Sequence, residues 1–248
     1  MLGVSLTGIM DHPVLSGAEN QKELPEWLEE LRNVSIETNK EWAEKLGINQ
    51  STAITCVKPS GTVSQLVDSA SGIHPRFSRF YVRRVRADKK DPLALLMQDQ
   101  GFPVEDDVIN KHNAVFSFPQ KAPESGVVVK DVGAMEQLRL WKIYQDHWCE
   151  HKPSITVYYT PEEFLEVGAW VYKNFDAVSG ISFLPVSEHT YQQAPYEEIT
   201  EEEYNKLKEQ IPEADWSKLG EYETTDDAVN TSKELACSAG VCEVVDLT

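Results

Sequence analysis

The segment Lys58-Pro59-Ser60-Gly61-Thr62-Val63-Ser64 joins a β-rich run to a short helical one. Three hydroxyls gather around a glycine where a helix begins, and the free N–H groups of a helix start favour an anion. Gly61 lets a ligand approach the backbone closely. The Gly-Lys-Ser/Thr ending of the P-loop is absent. A phosphate cradle of another kind is therefore one reading, and plain Ser/Thr capping of a turn is the other.

A second feature is Cys237-Ser-Ala-Gly-Val-Cys242, where small residues let two thiols close into a disulfide. In a reducing compartment such a pair suits thiol–disulfide exchange better than structural bracing. An incidental pair and a metal site are the alternatives, and the latter lacks a nearby histidine. The stretch His147-Trp-Cys-Glu-His151 carries two histidines at helical spacing, but Trp148 stands where a zinc protease needs glutamate. With Lys152-Pro153 following, helix C-terminal capping is the expectation and no metal site is assigned. Asp68-Ser-Ala-Ser-Gly-Ile-His74-Pro75 leads into a basic island of Arg76, Arg79, Arg83, Arg84, Arg86, Lys89 and Lys90. These cations either add contacts to an anion or pair with carboxylates on a solvated face.

The elements that must position these groups read as alternating helices and strands. Apolar residues Trp27, Leu28, Leu31, Val34, Trp42 and Leu46 predict a helix over 25–46 with Gly47 as its stop. Strands are expected at 52–57, 79–85, 114–118, 154–159 and 180–184, with helices near 92–100 and 134–149. Thr160-Pro161-Glu162-Glu163 and Thr200-Glu-Glu-Glu203 are capping-box starts for helices to about 174 and 210. This alternation predicts an α/β sheet with helical crossovers over 1–211, and a mobile acidic tail over 212–248.

The chain has 248 residues, 41% hydrophobic and 26% charged, which excludes collagen-like and wholly disordered classes. It carries a net charge of −18, and residues 191–248 hold 15 acidic against 4 basic side chains. Such a net charge repels nucleic acid backbones, and a mildly acidic body with one basic strand and a strongly acidic tail suits a small anionic ligand better than a duplex. The lack of an apolar run of membrane-spanning length, of a signal-like start and of a disulfide framework predicts a cytoplasmic protein with no membrane association.

Taken in order, the stretches 54–64, 68–86, 149–158, 180–185 and 191–196, ending with the cysteine pair, resemble the adenosylcobalamin-dependent ribonucleoside-triphosphate reductases. These are the monomeric class II ribonucleotide reductases, and the likeness covers only their C-terminal portion. The resemblance implies the C-terminal part of a ten-stranded α/β barrel followed by a flexible acidic tail. It implies that Ser60, Gly61, Thr62, Val63 and Ser64 hold substrate phosphates. It further implies that Cys237 and Cys242 re-reduce an active-site disulfide and then receive electrons from thioredoxin or a similar dithiol.

The family's Asn-Pro-Cys-Gly-Glu loop, which bears the radical cysteine, is absent from this sequence. It would lie upstream of the segment Leu6-Thr-Gly-Ile-Met-Asp11, together with the cysteines of the turnover disulfide, and Cys56 takes neither role. The expected function is thus a share in reducing ribonucleoside triphosphates, with adenosylcobalamin bound mostly outside this chain and an N-terminal reductase portion as partner. Alone, the chain is expected to be inactive. A non-catalytic phosphate-binding module or an inactive relic is the alternative.

Overall fold

The computed structural model describes residues 3–61, 63–186 and 191–223. In chain order its elements begin with β1 (Val4–Ser5), a 3-10 turn at Ile9–Asp11, α1 (Leu24–Leu46), β2 (Thr55–Cys56) and α2 (Val63–Leu66). β3 (Phe80–Asp88), α3 (Pro92–Asp99), β4 (Val104–Asp106) and β5 (Asn113–Lys121) follow. Next come α4 (Ala134–His147), β6 (Ile155–Tyr159), α5 (Phe164–Lys173) and β7 (Ile181–Pro185), then β8 (Tyr196–Glu198), α6 (Glu201–Gln210) and α7 (Leu219–Tyr222). The chain divides into two units, one of 1–76 with 123–187 and the other of 77–122 with 188–248.

In the first unit β1 pairs parallel with β2, and β6 pairs parallel with β7 across the α5 crossover. That crossover is the one the alternating pattern predicts, because parallel neighbours cannot be joined by a tight turn. The core is built around α4, whose Leu138, Trp141 and Tyr144 are fully buried together with Trp148 just past its end. Burying indoles and phenols requires partners for their polar tips. Trp141 Nε1 donates to Pro153 O at 3.1 Å, Trp148 Nε1 to Cys56 O at 2.7 Å, and the Tyr144 hydroxyl to Leu15 O at 2.9 Å.

Helix ends follow local chemistry. Gly47 sits at φ 63 and ends α1, with the Ile48 N–H returning to Ala43 O. Glu163 ties two starts together: its carboxylate accepts from Thr160 N–H at 2.9 Å and from Ala134 N–H, the first residue of α4, at 2.8 Å. The Thr160 N–H first, and then that of Ala134, hold its carboxyl below the usual range against the opposing effect of burial. The apolar stripe assigned to α1 is only partly internal. Leu28 is buried, whereas Trp27, Trp42 and Leu46 are 42%, 54% and 60% exposed.

In the second unit, among the described residues, the strands form an antiparallel sheet of order β4-β5-β3-β8. β3 and β5 pair along nine positions, from Phe80↔Lys121 to Asp88↔Asn113. Here the intervening α3 does not make a parallel crossover. It packs Ala94 and Met97 with Phe102, Ala114 and Phe116. Asp91 caps α3 by accepting from Leu93 N–H at 2.8 Å, with Pro92 in the first turn. Residues 212–223, placed in the acidic tail by the sequence pattern, hold a 3-10 turn and α7. They are tied to α3 and the residue after it, where Tyr222 donates to Asp99 at 2.8 Å and Asp215 N–H to Gln100 Oε1 at 2.8 Å.

His74 gives the first unit a pH dependence. Its Nε2 accepts from Thr156 N–H and its Nδ1 lies on Ser71 O, both at 3.0 Å, so the neutral ring with a proton on Nδ1 fits both partners. Burial holds its pKa below the ordinary value, although the Ser71 carbonyl pulls the other way. The unfolded chain therefore takes the proton first as pH falls. The stabilisation is full above about pH 6.5 and is lost as pH drops from there towards the lower folded value. The urea midpoint should fall between about pH 7.5 and about pH 5.5, and His74→Gln should flatten that fall. An unchanged slope in the variant would assign the effect to other groups.

Candidate functional site

The loop from Lys58 to Arg76 is folded tightly against the first turn of the chain. Ser60 Oγ accepts from Ser64 N–H at 2.8 Å, and the Ser64 hydroxyl returns a hydrogen bond to Ser60 O. The Ser60 N–H donates to Ser71 Oγ at 2.8 Å, and Ser69 N–H to Ser64 O at 2.8 Å. Ser60, Gly61, Val63 and Ser64 thus share one hydrogen-bonded turn at the start of α2, with Ser64 buried and Val63 exposed. Thr62 lies outside the described residues.

The far end of the loop is held by groups distant in sequence. Thr7 Oγ1 donates to Ala70 O and accepts from Gly72 N–H, both at 3.0 Å. Gly72 lies at φ +54, and a Cβ there would stand 2.6 Å from Lys58 O. Arg76 is buried and forks onto Asp11, Nε to Oδ1 at 3.0 Å and Nη2 to Oδ2 at 2.8 Å. It also reaches Asp68, Nη1 to Oδ1 at 3.0 Å and Nη2 to the carbonyl at 2.6 Å. Sequence reasoning placed Arg76 among the basic residues without finding this clamp. No spacing rule pairs residues 11 and 76.

The rest of the basic island lies in the second unit, where much of it is matched by carboxylates. Arg84 pairs with Glu197, Arg86 with Asp107 at 3.2 Å, and Lys89 with Asp106 at 2.6 Å. Arg84 and Arg86 also donate to the carbonyls of Ala194 and Gln193, each at 2.9 Å. These residues fasten β3 to the chain around β8 and β4.

Two thiols lie inside the first unit. Cys56 is buried, and Cys149 is half-buried with its thiol pushed up to about 12 by burial first and the neighbouring Cys56 second. A thiol so shifted is almost wholly protonated at neutral pH and makes a poor nucleophile. His147 Nδ1 lies 2.7 Å from Glu29 Oε1 in the last turn of α4, and His151 stands beyond the helix end. Among the described residues no cluster of three or more His, Cys, Asp or Glu could hold a metal ion. No helix among them is long and apolar enough to cross a membrane. Cys237 and Cys242 lie outside the described residues.

No protein-family profile matches the chain. Curated relatives do. A probable adenosylcobalamin-dependent ribonucleoside-triphosphate reductase of Dictyostelium discoideum is 29% identical over 251 residues, covering 98% of this chain and 32% of that protein. The reductase of the same description from Euglena gracilis is 32% identical over 215 residues, covering 86% and 29%. That from Lactobacillus gasseri is 28% identical over 236 residues, covering 85% and 32%. The similarity falls on a C-terminal portion of these relatives, and the chain spans about a third of their length. Among solved structures, a B12-dependent class II ribonucleotide reductase shares the α/β fold with a TM-score of 0.74 and 24% identity, over 89% of this chain and 34% of that one.

Proposed function

We propose that this chain is the C-terminal part of an adenosylcobalamin-dependent ribonucleoside-triphosphate reductase and works only with the remaining part of the enzyme. The observation that supports the reading most is the likeness along 98% of the chain to a third of a relative so described. In this reading Ser60, Gly61, Thr62, Val63 and Ser64 hold the substrate phosphates, and Cys237 with Cys242 forms the shuttle dithiol. The turn at Ser60 suits the first role because its local hydrogen bonds fix the backbone before a ligand arrives, which lowers the ordering cost of binding.

Adenosylcobalamin, when bound, supplies the radical that starts reduction. In this reading the cofactor is held mostly outside this chain, by the remaining part of the enzyme; among the described residues His74 has both ring nitrogens engaged and offers no ligand to cobalt.

Deoxynucleotide formation should be measured with adenosylcobalamin, a ribonucleoside triphosphate and a small dithiol. The chain would be assayed alone and mixed with a polypeptide carrying the missing radical-cysteine part. Product only in the mixture is the expected result. No product from two parts that demonstrably associate would overturn the reading in favour of a phosphate-binding module or an inactive relic.

A further inference from the structure

The geometry points to Arg76, acting through Asp68, as a positioning residue for the Ser60–Ser64 turn, an inference that rests on the phosphate-binding reading of that turn. Arg76 is fixed to the scaffold on both sides of its own peptide: its N–H donates to Val127 O and its carbonyl accepts from Val129 N–H, each at 2.9 Å. Its guanidinium then spans two carboxylates. Asp11 takes the two-pronged contact and also accepts from Ala70 N–H through Oδ2 at 2.7 Å. Asp68 takes the outer contacts through its side chain and its carbonyl.

The two carboxylates have different tasks. Arg76 is only 4% exposed and Asp11 16%, so that pair satisfies a buried charge and cannot be broken without leaving one uncompensated. The Asp68 side chain is 74% exposed and is not needed for that neutralisation. What it does is local. Asp68 follows α2 at φ 46, a left-handed conformation uncommon for a residue with a side chain, and Arg76 grips it there. The next residue, Ser69, donates to Ser64 O, and Ser64 in turn bonds Ser60 both ways. A short run of hydrogen bonds thus leads from the fixed guanidinium to the hydroxyls read as phosphate contacts.

The test uses the full chain, inorganic tripolyphosphate as the probe, and two variants. Asp68→Gly removes the side-chain acceptor without straining φ 46, and Asp68→Asn keeps an acceptor oxygen while removing the charge. Both delete one negative charge, so a purely electrostatic role would make both bind the anion more tightly. Positioning predicts instead that Asp68→Gly weakens binding about tenfold while Asp68→Asn binds at least as well as the parent. Equal or tighter binding by both variants overturns the proposal.

Hydrogen exchange at the Ser64 and Ser69 amides provides a readout that needs no ligand. Exchange should quicken in Asp68→Gly and not in Asp68→Asn, and unchanged rates in both overturn the proposal too. If the parent chain fails to bind tripolyphosphate both alone and mixed with the remaining part of the enzyme, while those amides respond as expected, the phosphate reading falls and the positioning role stands.

Discussion

Gly72→Ala is expected to be the most damaging single-methyl substitution in the first unit. Two independent costs meet at that position. At φ +54 an alanine loses roughly 1–2 kcal/mol to backbone strain alone. Its Cβ would also stand 2.6 Å from the Lys58 carbonyl oxygen and 3.4 Å from Val57 Cγ1, so something must move. The obstructing atom is backbone, and its surroundings are tied. Lys58 N–H donates to Ser5 Oγ at 3.0 Å, and Val57 O accepts from Ser154 N–H at 3.4 Å. Gly72 cannot retreat either, because Thr7 and the Ile9 N–H hold both sides of its peptide.

The combined loss should be about 3 kcal/mol or more, lowering the thermal midpoint by roughly 6–12 °C. Ser60 follows the displaced Lys58 by two residues, so tripolyphosphate binding should weaken with it. Gly47→Ala separates the two costs, since Gly47 also has positive φ but open space around a Cβ. It should show the strain term only, about 1 kcal/mol. Equal losses at both glycines, measured by urea or thermal unfolding, would mean that the close approach at Lys58 carries no weight.

That contrast shows where sequence patterns reach. Gly47 was legible because a glycine after a helical period marks a helix stop, and φ 63 is what such a stop requires. Thr160 and Thr200 were legible for the same reason, since each capping box is written within four residues: Thr200 and Glu203 form both halves, and Glu163 forms the half in which its carboxylate accepts from the Thr160 N–H. Gly72 looks like any loop glycine until Lys58 is placed against it. β8 has three residues and exists only because Tyr81–Arg83 of β3 lies beside it, more than a hundred positions away. β2 is only Thr55–Cys56 because its partner β1 offers two residues to pair with, and the Ile54 and Thr55 N–H groups go to the Glu150 carboxylate, an acceptor no local reading would supply.

The same limit explains β3 and β5. A helix between two strands suggests a parallel crossover, but direction is decided by which edges meet, and here nine residue pairs meet antiparallel. The site shows it in miniature. Ser60 to Ser64 was visible as a cluster of small hydroxyls, while the clamp that holds the loop in place, Asp11 with Arg76, is split between distant segments. Motifs mark where chemistry can happen; the groups that aim them are found only once the chain is folded.

For the shuttle pair, the expected result is a loss that depends on the reductant. In the proposed exchange a thiolate of the Cys237–Cys242 pair attacks one sulfur of the active-site disulfide, forming a mixed disulfide and releasing one active-site thiolate. The second thiol of the pair then displaces the other, leaving an active-site dithiol and a Cys237–Cys242 disulfide, with two electrons moved inward. Thioredoxin reverses the outer half by the same chemistry. In the reconstituted enzyme, Cys237→Ser removes one partner of the exchange, so turnover with thioredoxin should fall to background after the first cycle. A small dithiol can enter the active site and needs no relay, so turnover with it should stay within about twofold of the parent. Cys242→Ser should behave alike, because either thiol alone can form a mixed disulfide but cannot resolve it. The half-buried Cys149 gives an internal control. Cys149, held almost entirely protonated, cannot substitute as a nucleophile, so Cys149→Ala should leave the reductant dependence unchanged. Equal loss with both reductants would remove the relay role from Cys237 and Cys242.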